Sequence, residues 1–155
     1  MVNIVTGKIN SGKTNKLASM YQFSNEGDGF IAVKIMENGI VTEYRAMRLS
    51  TMEERPFIFR DSHVPENFDF CCRIGNFLVS REGLEWIETE SLKMVNNRVS
   101  PIYLDEIGWL ELQDECFHPL FTQLLSSKLE LYISVRNELV EKVLTKYHIT
   151  DYRLM

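Results

Sequence analysis

The chain has 155 residues, of which 45% are hydrophobic and 25% charged, as is typical of a soluble globular domain. Its net charge of −5 argues against general binding to nucleic acid or to an anionic membrane, because both usually need a basic face. No apolar run approaches the ~18 residues of a membrane span and no export signal is visible, so we expect a cytoplasmic protein that does not enter a membrane. Cys71, Cys72 and Cys116 lack metal-ligand spacing, which indicates reduced thiols and no zinc site.

The amino-terminal third of the chain is predicted to contain a strand, a glycine loop, a helix and a hairpin. Residues 2–6 form a short apolar run that predicts a buried strand, and residues 13–23 carry apolar side chains at helical spacing. Residues 24–29 have the composition of a loop. Residues 30–36 and 40–49 predict two strands, and Asn38-Gly39 between them is a strong hairpin signal because both turn positions require positive φ.

The middle of the chain predicts a further short strand at residues 56–59 and a loop at 63–67. Residues 71–79 predict another strand, with Gly75-Asn76 as a candidate interruption. Ser80 is a suitable N-cap for a helix over residues 81–96.

The carboxyl-terminal third alternates strand and helix. Residues 102–105 and 129–135 predict strands, and residues 114–126 predict a helix whose start Pro119 makes ambiguous. Residues 137–147 predict a helix with one apolar face, and residues 151–154 predict an edge strand. Strand–helix alternation at both ends of the chain favours a single α/β domain over residues 1–155. We expect a mostly parallel sheet with helices on both faces and an added antiparallel hairpin.

The segment between the first strand and the first helix matches the phosphate-binding pattern G-x-x-x-x-G-K-[ST]. Two glycines allow the backbone N–H groups to turn inward, and the start of the following helix adds positive potential. Lys13 is a point charge for the β- and γ-phosphates, and the hydroxyl of Thr14 is a ligand for Mg²⁺. The predicted nucleotide-binding residues are Gly7, Lys8, Ile9, Asn10, Ser11, Gly12, Lys13, Thr14 and Asn15.

An acidic pair follows the predicted strand at residues 102–105 and supplies the second half of a nucleotide site. Asp105 would lie at the carboxyl end of its strand, where open α/β sheets bind ligands, and would hold Mg²⁺ together with Thr14. Glu106 would polarise a water molecule for attack on the γ-phosphate. The alternative interpretation is that the two acids are only a polar strand end.

Arg136 follows the predicted strand at residues 129–135 and would emerge at the same edge of the sheet as Asp105. There it would contact the γ-phosphate or the base, as a third catalytic residue beside Lys13 and Glu106. The alternative is a solvated arginine at the start of a helix.

The two motifs together resemble the small P-loop nucleoside-triphosphatases of the THEP type, whose second motif runs D-E-I-G-x-M-E-L. Leu110 replaces the methionine of that motif, and the positions that agree are Asp105, Glu106, Ile107, Gly108, Glu111 and Leu112. The resemblance covers nearly the whole chain, strongly at the two motifs and loosely elsewhere. It implies a RecA-like α/β fold and Mg²⁺-dependent hydrolysis of nucleoside triphosphates with broad base tolerance.

Three positions depart from the pattern of that family. Asn15 follows Thr14 where the family often has a second threonine, Lys34 stands about where the family often has an acid, and Trp109 replaces a usual basic residue. The first departure leaves the magnesium ligand Thr14 intact.

Hydrolysis is the leading functional hypothesis, and two alternatives remain open. A P-loop kinase would transfer the γ-phosphate to a nucleoside or another small acceptor, although residues 136–153 contain few of the arginines that a lid needs. A nucleotide-dependent switch would bind tightly with little turnover and would use the hairpin and Trp109 as a docking face. The sequence leaves the preferred base and the oligomeric state undetermined.

Overall fold

The computed structural model describes residues 1–155 and contains nine strands and five α-helices. The strands are β1 (Val2–Gly7), β2 (Asp28–Glu37), β3 (Ile40–Arg48), β4 (Glu54–Arg60), β5 (Phe70–Ile74), β6 (Phe77–Ser80), β7 (Ile102–Leu104), β8 (Leu131–Arg136) and β9 (Tyr152–Leu154). The helices are α1 (Lys13–Ser24), α2 (Arg81–Asn96), α3 (Trp109–Leu112), α4 (His118–Ser126) and α5 (Val140–Lys146). None of the helices is long and apolar enough to span a membrane.

All nine strands belong to one sheet, in the order β5-β6-β4-β3-β2-β7-β8-β1-β9. The pairs β2·β7, β7·β8, β8·β1 and β1·β9 are parallel. The pairs β2·β3, β3·β4, β4·β6 and β6·β5 are antiparallel. The prediction of a mostly parallel sheet is therefore corrected to a mixed sheet, because the antiparallel addition contains β3, β4, β5 and β6 and is larger than one hairpin.

Two tight turns explain this larger antiparallel part. Asn38 and Gly39 both have positive φ, of 49° and 81°, and join β2 to β3 as the sequence predicts. Gly75, with φ of 55°, and Asn76 form a second turn, so that the predicted strand at residues 71–79 is the hairpin of β5 and β6. β4 pairs with both β3 and β6 and connects the two hairpins in space.

Helices cover both faces of the sheet, which confirms that part of the prediction. On one face α1 packs through Leu17 against a small buried group that includes Val5, Ile31 and Tyr103. On the other face α2, α4 and α5 pack on the larger core, which includes Ile4 of β1. The alternation of Ile4 and Val5 between the two cores follows from the period of two in a strand.

Two predicted helices begin later than the sequence suggests. The helix predicted at residues 114–126 begins at His118, because Asp114 and Cys116 have positive φ of 63° and 56°, which a helix does not accommodate. The short helix α3 was not predicted. The last helix begins at Val140, after a 3₁₀ turn at Asn137–Leu139.

The antiparallel wing consists of β3, β4, β5 and β6 and of the part of β2 that continues beyond the end of β7. This wing extends past the carboxyl edge of the parallel strands. The last parallel pair between β2 and β7 is Phe30 with Leu104, and β2 continues for seven more residues, to Glu37. At ~3.3 Å per residue, this continuation is roughly 23 Å long. This continuation of β2 borders the edge of the sheet at which β1, β7 and β8 end.

Candidate nucleotide site

The glycine loop joins β1 to α1 and leaves the first turn of α1 open. Gly12, with φ of 89°, is the N-cap of α1, and no side chain caps the helix there. The first turn contains no acidic residue, and its N–H groups have no partner within the helix. An anion bound at this position would accept hydrogen bonds from those N–H groups and would be stabilised by the positive end of the helix dipole.

The side chains of the loop divide into one buried lysine and a set that faces solvent. Lys13 is 7% exposed, and its Nζ donates a 2.9 Å hydrogen bond to the carbonyl oxygen of Lys8. A Cβ on Gly7 would lie 2.3 Å from the hydroxyl oxygen of Ser11 and 3.2 Å from its Cβ, so a larger residue there would displace the side chain of Ser11. The predicted binding residues that are exposed are Lys8, Ile9, Asn10, Ser11, Gly12 and Asn15.

Thr14 and Asp105 meet where the loop passes the end of β7. The hydroxyl of Thr14 donates a 2.7 Å hydrogen bond to Oδ2 of Asp105, which also accepts a 3.0 Å bond from the backbone N–H of Ala32. Asp105 is 4% exposed. The structure therefore brings together the two predicted magnesium ligands.

Ser134 is a site residue that the sequence interpretation missed. Its hydroxyl donates to Oδ1 of Asp105, and its oxygen accepts a 2.8 Å hydrogen bond from the backbone N–H of Glu106. The side chain is fully buried in the middle of β8. The only signal in the sequence is a polar residue between the apolar neighbours Ile133 and Val135, a weak indication that gains meaning only once β8 is known to lie beside β7.

Opposing effects act on the carboxyl group of Asp105. Burial raises its pKa, because a charge is costly in a medium of low polarity. The hydrogen bonds from Ser134, Thr14 and Ala32 lower it again, and so does the charge of Lys13. A divalent cation at this carboxylate would stabilise the ionised form further.

Glu106 has an unusual backbone conformation, and the residue is exposed. Its φ of 68° lies in the left-handed region, which is uncommon for a residue other than glycine. Desolvation by the surrounding protein raises the pKa of Glu106, and the charge of Asp105 raises it further. The charges of Lys13, Arg136 and Lys34 act in the opposite direction and only partly offset this rise in the pKa.

Arg136 is the last residue of β8 and pairs with Gly7, the last residue of β1. It thus emerges at the predicted edge of the sheet, beside the glycine loop. Its charge acts to lower the pKa of Glu106, against the larger effect of burial. The prediction that Arg136 shares an edge with Asp105 is confirmed, while its role in catalysis stays a prediction.

Lys34, on the rising part of β2, reaches across to the glycine loop. Its Nζ donates a 2.5 Å hydrogen bond to Oδ1 of Asn10. Tyr44 is the register partner of Lys34 on β3, so the two side chains lie on the same face of the antiparallel wing. The pKa of Tyr44 is raised by burial and by the charge of Glu106. The antiparallel wing thereby borders the site with a cation and an aromatic ring.

Glu111 holds the segment that follows Glu106. It is 2% exposed, and its carboxylate accepts hydrogen bonds from the backbone N–H of Gly108 at 2.7 Å and of Phe117 at 3.0 Å. Burial raises its pKa to about 7, although both N–H donors favour the charged form. This carboxyl group therefore joins the start of α3 to the start of α4.

The donor set of the site fits magnesium better than a transition metal. The side chains of Thr14 and Asp105 offer hard oxygen atoms, and no group of three His, Cys, Asp or Glu side chains in the chain could hold a metal by itself. Magnesium is usually bound through one or two protein oxygens, with phosphate and water oxygens completing the shell.

The family assignment follows from a model for a protein family described as NTPase, which matches residues 3–154. The chain belongs to this family. The resemblance to THEP-type proteins is confirmed, and the chain is an enzyme of the nucleoside-triphosphatase class.

Two of the curated relatives that match this chain are named nucleoside-triphosphatase THEP1. The protein from Thermotoga sp. (strain RQ2) is 21% identical over 154 residues, which cover 97% of this chain and 84% of the relative. The protein from Thermotoga maritima is 22% identical over 155 residues, with the same two shares.

A solved structure supports the fold of this NTPase. It is described as the solution structure of a human cancer-related nucleoside triphosphatase, and it superposes with a TM-score of 0.64 at 21% identity. The match covers 98% of this chain and 86% of the human chain. The α/β architecture with a mixed sheet is therefore shared across distant relatives.

Proposed function

We propose that this NTPase hydrolyses nucleoside 5′-triphosphates to diphosphate and phosphate in a Mg²⁺-dependent reaction. The observation that carries the proposal is the hydrogen bond between Thr14 and Asp105, which joins the glycine loop to the acid at the end of β7. Glu106, the next residue, then lies beside the place where the terminal phosphate would be held.

Binding is assigned to the loop and its lysine. The N–H groups of the first turn of α1 would hold the phosphate oxygens, and Lys13 would exchange its bond with the Lys8 carbonyl for a phosphate oxygen. Thr14 and Asp105 would hold Mg²⁺, which supplies charge neutralisation on the phosphates when it is bound.

Glu106 is assigned the role of general base. A water molecule forms a bond to the γ-phosphorus while the bond from that phosphorus to the bridging oxygen breaks, and its electron pair stays on the β-phosphate. The proton of the water passes to the Glu106 carboxylate. Ser134 holds the backbone N–H of Glu106 and so positions this residue, and Arg136 would offset charge at the phosphates.

The RecA-like assignment of the fold is part of the same proposal. It is supported by the position of β8 between β1, which carries the glycine loop, and β7, which carries Asp105. β1 and β7 are thus separated by two strand spacings of ~4.8 Å, which leaves room for a phosphate and its metal between the glycine loop and Asp105. Broad base tolerance is proposed because the converging groups are suited to a phosphate chain, which every nucleotide shares.

The test is phosphate release from ATP, GTP, CTP and UTP, with and without Mg²⁺, by the wild type and by Glu106→Gln. We expect release from all four nucleotides only with Mg²⁺. The variant should lower kcat by roughly 10²–10⁴-fold, the usual contribution of a positioned base, and keep nucleotide affinity. Equal turnover in the variant removes Glu106 from the mechanism. Tight binding without release in the wild type would favour a switch instead.

A further inference from the structure

We propose that Lys34 is a further catalytic residue of this NTPase, whose ammonium group binds the γ-phosphate and stabilises the charge that develops as the γ-phosphate is transferred to water. The proposal rests on the hydrolysis described above. It concerns a residue of the antiparallel wing, outside both sequence motifs.

The first observation is the position of Lys34. It lies on the part of β2 that continues past the end of β7, and its Nζ is 2.5 Å from Oδ1 of Asn10. Asn10 is at the exposed turn of the glycine loop, with a positive φ of 59°. The ammonium group therefore contacts the exposed turn of the glycine loop.

The second observation is the charge around the terminal phosphate. Asp105 and Glu106 already contribute two acids at this edge, and a triphosphate adds several negative charges. The ammonium group of Lys34, which contacts the glycine loop, supplies a positive charge to offset them.

The third observation is the nature of the present partner. Oδ1 of Asn10 is a neutral acceptor, and an ammonium group has three N–H donors. A phosphate oxygen carries negative charge, so it attracts the ammonium group more strongly than a neutral amide oxygen does. A phosphate oxygen bound beside the loop would therefore replace Asn10 as the partner or join it.

The chemistry required of Lys34 is electrostatic. The water oxygen bonds to the γ-phosphorus, the bond to the bridging oxygen breaks, its electron pair remains on the β-phosphate, and the proton passes to Glu106. Lys34 keeps all of its protons and stabilises the charge of the phosphoryl oxygens during this exchange. A diphosphate has no γ-phosphate. Lys34 should therefore strengthen the binding of a triphosphate and have no effect on the binding of a diphosphate.

The test compares Lys34→Met with Lys34→Arg and with Lys128→Met. Lys128 is an exposed lysine just before β8, at the opposite edge of the sheet, and serves as the matched control. The measurements are kcat for ATP and the dissociation constants of ADP and of a β,γ-imido analogue of ATP. Circular dichroism melting curves check that each variant folds.

We expect Lys34→Met to lower kcat roughly 100-fold, as the loss of one donor to a transition-state oxyanion does. It should weaken binding of the imido triphosphate and leave ADP affinity unchanged. Lys34→Arg should recover part of kcat, and Lys128→Met should equal the wild type.

Two results would overturn the proposal. One is wild-type kcat in Lys34→Met. The other is an equal loss of ADP and triphosphate affinity in Lys34→Met, since Lys34 would then only anchor the loop. If the wild type releases no phosphate, the hydrolysis proposal fails by itself. In that case an unchanged preference of Lys34→Met for triphosphate over ADP would also rule out the contact with the γ-phosphate.

Discussion

The hydroxyl of Thr14 lies 2.7 Å from Oδ2 of Asp105, although 91 positions of the chain separate the two residues. Thr14 belongs to the first turn of α1, and Asp105 directly follows β7. Since β8 lies between β1 and β7 in the sheet, the contact spans two strand positions. It places two hard oxygen atoms side by side, which are the kind of donor that Mg²⁺ prefers.

Replacing Thr14 by valine should raise the Mg²⁺ concentration that gives half-maximal phosphate release by roughly 10–100-fold, the usual effect of losing a group that supports a metal. Valine has nearly the shape of threonine but has no hydroxyl to act as ligand. Thr14→Ser keeps the hydroxyl and should remain within a few-fold of the wild type. A magnesium titration of phosphate release measures both. If valine and serine shift the midpoint equally, the hydroxyl is not the cause.

Replacing Ser134 by alanine should lower kcat roughly 10–100-fold. The reason is that one hydroxyl holds both Oδ1 of Asp105 and the backbone N–H of Glu106, and both lose a partner together. The variant should also lose about 1–3 kcal/mol of unfolding free energy, since a buried group is left without its hydrogen bond. Steady-state kinetics and urea unfolding measure the two effects.

Ser126→Ala provides the control for Ser134→Ala, because Ser126 is exposed at the end of α4 and its hydroxyl donates only to the carbonyl oxygen of Thr122. It should change neither kcat nor stability appreciably. A Ser134→Ala protein with wild-type kcat would contradict a positioning role for the serine.

Replacing Glu111 by glutamine should remove part of the pH dependence of stability. Burial raises the pKa of Glu111 from 4.5 to about 7, so the native state holds this proton more tightly than the unfolded chain. Its contribution to stability is therefore largest below pH about 4.5 and is lost as the pH rises to about 7. At 1.36 kcal/mol per pKa unit, the loss is about 3 kcal/mol.

Urea unfolding of the wild type and of Glu111→Gln between pH about 5 and about 8 measures this effect. The wild type should lose stability relative to the variant as the pH rises through that window. Burial also raises the pKa values of Asp105 and Glu106, but both residues are present in both proteins, so their contributions cancel in the difference. Parallel curves for the two proteins would refute the assignment to Glu111.

The local sequence pattern was sufficient to predict those elements whose conformation depends only on neighbouring residues. The glycine spacing of residues 7–14 predicted the tight loop between β1 and α1, and Asn38-Gly39 predicted the hairpin of β2 and β3. Local pattern was insufficient for residues 71–79 and 114–126. There, positive φ at Gly75, Asp114 and Cys116 interrupts elements that the apolar spacing alone would continue.

The order of amino acids determined the glycine loop, the acidic pair at residues 105–106 and the strand that carries this pair, because each depends on neighbours a few positions apart. Tertiary structure decided which distant groups join them. Ser134 and Lys34 carry no motif, and they reach the site because β8 pairs with β7 and because β2 continues past its carboxyl end. Strand pairing is a long-range choice made by the packing of whole faces, so the composition of a catalytic edge follows from the register of the assembled sheet.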